Sequence, residues 1–171
     1  MAALVITAIG DDRAGLVEAL SGVIATHGGN WDRSHMAELA GKFAGIVLVT
    51  VPDSKAESLI ADLKPLETKG LLDITVEAAS DAPDAPGVVR GTLNLVGQDH
   101  PGIVHEISHV LATAQVSIDE LETETVPAPQ GGHLFKAQAS LEVPAGTTIN
   151  DLYDALEAVS ADLMVDLQLD A

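Results

Sequence analysis

Two stretches of this chain are copies of one another. LVITAIGDDRAGLVEALSGVIATHGGNWD, beginning at Leu4, aligns without a gap to GTLNLVGQDHPGIVHEISHVLATAQVSID, beginning at Gly91. Gly10 meets Gly97, Asp12 meets Asp99 and Gly15 meets Gly102, while Leu16, Val17, Leu20, Val23 and Ile24 fall on Ile103, Val104, Ile107, Val110 and Leu111. After a shift of five residues FAGIVLVTVP from Phe43 meets FKAQASLEVP from Phe135, the second copy having gained the small insertion PAPQG. A repeat of this length ties both halves to one topology and divides the 171 residues into two domains of about 80, a size that folds alone with modest stability. SDAPDAPG between the copies has no apolar period and reads as a linker, which sets domains at 1–80 and 89–171 with the linker at 81–88.

Within each copy the hydrophobic period changes in the same order. Residues 3–9 are a short apolar run suited to a strand, and positions 16, 20, 23 and 24, all apolar, with His27 after them, then follow the face of a helix. Residues 30–40 alternate in part, Gly41-Lys42 marks a turn, and FAGIVLVTVP continues as a strand until Pro52 stops it, so a hairpin is expected. Leu59, Leu63 and Leu66 share a helical face over 54–66 behind Ser54 as the expected cap, and LLDITVEA closes the copy as a strand. The second copy predicts a strand at 90–97, a helix at 101–114, hairpin strands at 117–126 and 133–143, a helix at 148–160 and a strand at 162–169. The order is βαββαβ, twice. One apolar stripe per helix implies an α+β fold of two-layer domains, each an antiparallel sheet with both helices on one face.

Composition narrows the function. Eight Lys and Arg against 26 Asp and Glu leave a formal charge of −18, which repels nucleic-acid backbone and anionic lipid. Two per cent aromatic residues cannot furnish the stacking platforms of a single-strand nucleic-acid binder on such a sheet. No cysteine is present, as suits a reducing cytoplasm, and MAALVITAIG lacks the basic flank of a signal peptide and breaks at Gly10 before it could span a membrane. A cytoplasmic protein is expected.

Residues 105–109, HEISH, match the H-E-x-x-H pattern that sets two zinc ligands and a general base on one helix. Ile103, Val104, Ile107, Val110, Leu111 and Ala114 cluster within about 60° of Ile107, so that side must lie on the sheet, and His105 and His109 sit about 160° from it. They point outward, away from any cleft that could supply a third ligand, and the first copy has Glu18 and Gly22 in their places. A solvated face is expected, with a zinc hydrolase through His105, Glu106 and His109 as the rival reading. His27, His35, His100 and His133 show no ligand spacing and are placed at surface or boundary positions.

The element both copies keep is the turn from the first strand into the first helix, GDDRAG at 10–15 and GQDHPG at 97–102. Glycines permit a sharp turn and close approach, and the first free N–H groups of each helix, near Gly15 to Val17 and Gly102 to Val104, favour a carboxylate. Asp12 and Asp99 either cap their helices or accept an ammonium nearby, and amide donors beside a carboxylate complement a zwitterionic amino acid. Pro101 is expected in the first helical turn, where its missing N–H costs nothing. No Lys-Ser or Lys-Thr follows, so this is not a phosphate loop. Trp31, the only tryptophan, either fills the hairpin base or meets a ligand or domain contact, and Asn30 either holds the turn or reaches the ligand.

With G-x-D-[RH]-[AP]-G after strand one in both copies and ATHGGNW leading into strand two, the chain resembles tandem ACT domains of the glycine cleavage system transcriptional repressor type. The resemblance implies two ferredoxin-like βαββαβ units, no catalysis and no cofactor or metal, side-by-side pairing of domains, and a small amino acid bound at the turn after strand one. Carried onto matching positions, it points to Asp12, Arg13, Gly15, Leu16, Asn30 and Trp31, and to Asp99, His100, Gly102, Ile103 and Ser117. Ala14 replaces the family's proline and Ser117 stands where the first copy has Asn30, which makes the first copy the better candidate. The reading is a non-enzymatic regulator that senses a small amino acid such as glycine and acts through protein contacts, on a transcription factor or on an enzyme of amino-acid metabolism. A homodimer is expected, because pairing would cover exposed sheet edges.

Overall fold

The computed structural model describes residues 1–80 and 87–169. The chain divides into two compact units, Met1–Ala82 and Pro83–Ala171; most of the linker expected at 81–88 lies outside the described residues. Unit 1 runs β1 (Ala2–Asp11), α1 (Leu16–Thr26), β2 (Asn30–Leu39), β3 (Lys42–Val51), α2 (Ala56–Thr68) and β4 (Asp73–Ala78). Unit 2 repeats the order with β5 (Val89–Gln98), α3 (Ile103–Thr113), β6 (Ser117–Pro127), β7 (His133–Val143), α4 (Ile149–Glu157) and β8 (Met164–Leu169). The sheets are antiparallel, in the orders β2-β3-β1-β4 and β6-β7-β5-β8. Two βαββαβ units of ferredoxin-like topology are therefore present, as the repeat requires.

Alternation along the central strands sorts their side chains between two layers. Leu4, Ile6 and Ala8 of β1 and Val47, Val49 and Val51 of β3 are buried beneath Leu20 and Ile24 of α1 and Leu59 and Leu63 of α2. Unit 2 builds the same core from Leu93, Leu95, Ala139, Leu141, Ile107, Leu111, Leu152 and Leu156. The other face of each sheet carries neither helix of its own unit.

The structure corrects several local expectations. The buried stripe of the first helices is narrower than their apolar stripe: Leu16, Leu20 and Ile24 are buried in α1 and Ile103, Ile107 and Leu111 in α3, while Val17 is 46% and Val104 43% exposed. An α-helix on a flat sheet seats one i, i+4 row, and residues a quarter turn away lean out beside it. Ser54 does not cap α2, since a short 3-10 turn over Asp53–Lys55 precedes the helix and no side chain caps it. Helix α4 ends at Glu157, short of residue 160, and β8 begins at Met164 where 162 was expected.

Because Trp31 is the sole tryptophan, its fluorescence during urea unfolding reports on unit 1 alone. Leu20→Ala empties a fully buried site and is expected to cost about 2–5 kcal/mol by that measurement, whereas Val17→Ala costs less than about 1 kcal/mol. Equal losses would restore the wider stripe.

Candidate functional site

Two glycines of the repeated turn serve the fold. A Cβ on Gly10 would stand 2.3 Å from the Leu71 carbonyl oxygen, because the turn between α2 and β4 presses on the end of β1; at Gly97 the side chain of Leu163 comes within 2.9 Å of the same point. Gly15 and Gly102 act differently. Each is the N-cap of its helix with a left-handed backbone (φ 93° and 96°), a conformation a side chain resists. No side chain caps either helix, so Asp12 and Asp99 are not caps. Their backbone N–H groups instead donate to the Gly41 and His133 carbonyls at 2.9 Å, anchoring each turn to its neighbouring hairpin. Pro101 lies outside α3, one residue before its N-cap.

The position after the aspartate is also tethered. Arg13 donates to the Gly70 carbonyl at 3.0 Å, strapping the β1–α1 turn to the α2–β4 turn, and His100 Nε2 lies 3.7 Å from Glu106 of α3. Leu16 and Ile103 are core side chains, so only their backbone can face a ligand. The Ile103 N–H is taken by the His100 carbonyl at 3.3 Å, whereas no hydrogen bond among the described residues takes the Leu16 N–H. Glu18 and Glu106 reach to 3.9 Å of a Cβ position on Gly15 and Gly102, so each helix start already has an acidic neighbour suited to its dipole.

Asn30 and Trp31 do not join this group within their own unit. Asn30 pairs with Thr50, and Thr50 with Ala3, at the opposite end of the sheet from Asp11. Eight residue steps along β1, from Ala3 to Asp11, separate those rows, about 27 Å of strand. Trp31, opposite Val49, packs half-buried against the unit 1 core, and the Asn30 amide donates to the Asp32 carboxylate. Ser117 and Ile118 occupy the same end of unit 2. The residues expected to form one site thus make two clusters, one at each end of the first helix.

On α3, His105 and His109 are exposed with ring centroids 6.3 Å apart, and Glu106 leans back toward His100. No group of three or more His, Cys, Asp or Glu among the described residues could hold a metal ion. His27 is the histidine that leaves the surface: 9% exposed, it sets Nδ1 2.9 Å from the Val23 carbonyl and Nε2 3.1 Å from Asp62 of α2, tying the two helices together. Nothing in its spacing signals this, since Asp62 lies on another element. Unit 2 also has an apolar cleft of about 360 Å³, measured out to its open mouth, between α3 and β6. In unit 1, Met36 lies over Gly45 and Trp31 stands where unit 2 has Thr123 over Ala137 and Ile118.

Comparison with known proteins places this geometry. Residues 2–77 match the ACT domain family profile. Residues 2–77 therefore form a domain of the ACT family. The glycine cleavage system transcriptional repressor of Escherichia coli (strain K12) is 26% identical over 162 residues, 94% of this chain and 85% of the repressor, and the Shigella flexneri protein of the same name matches equally. A crystal structure of an unknown protein from Galdieria sulphuraria, 30% identical, superposes with a TM-score of 0.83 over 99% of both chains. Another, provisionally named a glycine cleavage system transcriptional repressor, is 21% identical with a TM-score of 0.69 over 99% of this chain and 97% of its own, and shares the fold. The fold of two βαββαβ units is therefore shared along the whole chain, and no helix among its described residues is long and apolar enough to cross a membrane.

At the rim of the turn Lys42 donates to Asp11. Hydrogen bonding and then charge attraction from Lys42 hold the Asp11 carboxyl below its ordinary value near 3.8, and Asp11 raises Lys42 in return. A lowered carboxyl value means the pair's contribution is complete above the ordinary carboxylate range and is lost as pH falls through the lowered value. An NMR titration is expected to show Asp11 moving up toward 3.8 in Lys42→Met; no movement would remove the pairing. The two glycines separate by unfolding: a Cβ on Gly15 meets only the Glu18 carboxylate, at an ordinary 3.9 Å, so Gly15→Ala costs its backbone strain, about 1–2 kcal/mol, and Gly10→Ala costs more because the Leu71 carbonyl must give way.

Proposed function

We propose that this ACT protein is a non-enzymatic regulator that senses a small amino acid, with glycine the first candidate, and passes occupancy to a protein partner such as a transcription factor of the glycine cleavage system. One observation carries the reading. Among the residues both turns share, the glycines answer to packing and backbone conformation, but the carboxylates of Asp12 and Asp99 are exposed and take part in no hydrogen bond or ion pair among the described residues. A carboxylate kept twice with no role in folding, beside helix-start amides, is what an amino acid's ammonium and carboxylate require. The E. coli relative's name supplies the regulatory context.

The separation of the two clusters supports a site shared between paired ACT units. Strand β2 is a sheet edge with backbone groups open to another strand. Antiparallel addition of a second unit along that edge would bring the turn of one beside the Asn30 end of the other. With a charge of −18, the regulator would leave DNA contact to its partner.

A thermal-shift screen of the full chain across the amino acids tests this. A ligand at a hundred times its Kd stabilises the folded form by about 2.7 kcal/mol, a shift of several degrees. Asp12→Ala is expected to abolish the shift and Asn30→Ala to reduce it, with Asp99→Ala doing less because unit 2 has Ser117 in place of the asparagine. Absence of any shift at millimolar amino acid would overturn the sensing role.

A further inference from the structure

The helix-free faces of the two sheets have diverged. In unit 1 that face carries Val5 and Ile9 of β1 and Ile46 and Leu48 of β3, with Ile9 46% and Ile46 49% exposed. Register places Thr92, Val96, Gln138 and Ser140 at the same points of unit 2, and Ala44 becomes Lys136. The two units share a fold, so folding does not require an apolar stripe there. An exposed apolar stripe that the duplicate has replaced with polar residues at three of its four points, keeping only Val96, marks an interaction surface.

We propose that the helix-free face of unit 1 is a homodimer interface, packed sheet to sheet against the same face of a second copy. Charge selects both the partner and the orientation. One row across the sheet reads Arg33, Leu48, Val5, Glu77, from β2 to β4, so the apolar centre has a cation on one flank and an anion on the other. A twofold axis running along the strands lays β2 over the other copy's β4, and sets Arg33 against the partner's Glu77 and Leu48 against the partner's Val5. A twofold across the strands would stack β2 on β2 and leave both charges unmatched. Unit 2 has Glu120 and Gln168 at those flanking points and forfeits the complementarity. Four strands about 4.8 Å apart and about 30 Å long give a face near 600 Å², and two such faces bury about 1,200 Å², above the roughly 1,000 Å² a specific interface needs. Sheets so packed align within about 30°.

Sedimentation velocity on the full chain at up to about 100 μM provides the test. Wild type is expected to dimerise. Ile46→Gln with Leu48→Ser, which installs the residues of unit 2, is expected to raise the dimer Kd at least tenfold with Trp31 fluorescence unchanged. Arg33→Glu and Glu77→Arg should each weaken the dimer, and the double exchange restore it. A monomer at the highest concentration, or a dimer indifferent to these variants, would overturn the interface. The amino-acid thermal shift is read on the same proteins. Loss of the dimer with the shift intact, or the reverse, therefore separates this interface from the ligand site.

Discussion

Each sheet is covered by the helices of its own unit on one side only, and much of the rest of each unit follows from that. Burying alternate side chains of β1 and β3 under α1 and α2 fixes which residues form the core, and so which remain outside it. His105 and His109 face solvent because Ile103, Ile107 and Leu111 must face β5 and β7. The first turn of each unit sits at the rim because the chain has to leave the sheet plane to lay a helix across it. Among the described residues, no third ligand joins His105 and His109 on that outer side. The helix-free face is relieved of core duty, and there Val5, Ile46 and Leu48 of unit 1 give way to Thr92, Gln138 and Ser140 in unit 2.

The fold was legible because its signals are local. Period switches and punctuation by Gly and Pro locate the elements of both units, and β6 from Ser117 and β7 from His133 to Val143 begin or end at the expected residues. Discrepancies arise where a second element decides the outcome. Val17 and Val104 belong to the apolar stripe by angle, yet whether a flanking residue is covered depends on the curvature of the sheet beneath it. His27 gains its tie from Asp62, and Gly10 its necessity from the Leu71 carbonyl, residues far along the chain. The site was half legible for the same reason. The turn residues Asp12 to Leu16 are neighbours in sequence and in space, whereas Asn30 and Trp31 lie at the far end of α1, and an eleven-residue helix intervenes.

An internal duplication works as a control experiment written into one chain. Features common to both copies include everything the fold demands, so repetition alone does not mark function: Gly10 with Gly97 and Gly15 with Gly102 are repeated because backbone geometry requires it. What repeats without a structural role, as at Asp12 and Asp99, needs another cause. What fails to repeat is equally informative, because it shows what the fold can do without. Unit 2 forgoes the asparagine, the Met36 that lies over Gly45, the tryptophan and the apolar sheet face while retaining the topology. Those departures gather in unit 1 as the more specialised half.

Splitting the candidate site between the ends of a unit also bears on signalling. A ligand enclosed within one rigid domain would bind equally well whatever that domain touched, and could shift no equilibrium between assemblies. In the proposed shared site, a ligand held by the turn of one unit and the Asn30 end of another would bind only where the two are paired, so its binding free energy would be added to the pairing itself. A tenfold preference for the paired arrangement corresponds to about 1.4 kcal/mol, the scale of a single charge-assisted hydrogen bond. One ammonium to Asp12 would therefore suffice to bias a marginal association. In a chain of charge −18 association is marginal by default, because two copies repel except where complementary charges offset it. Strong net repulsion with few designed attractions leaves the balance within reach of one small molecule.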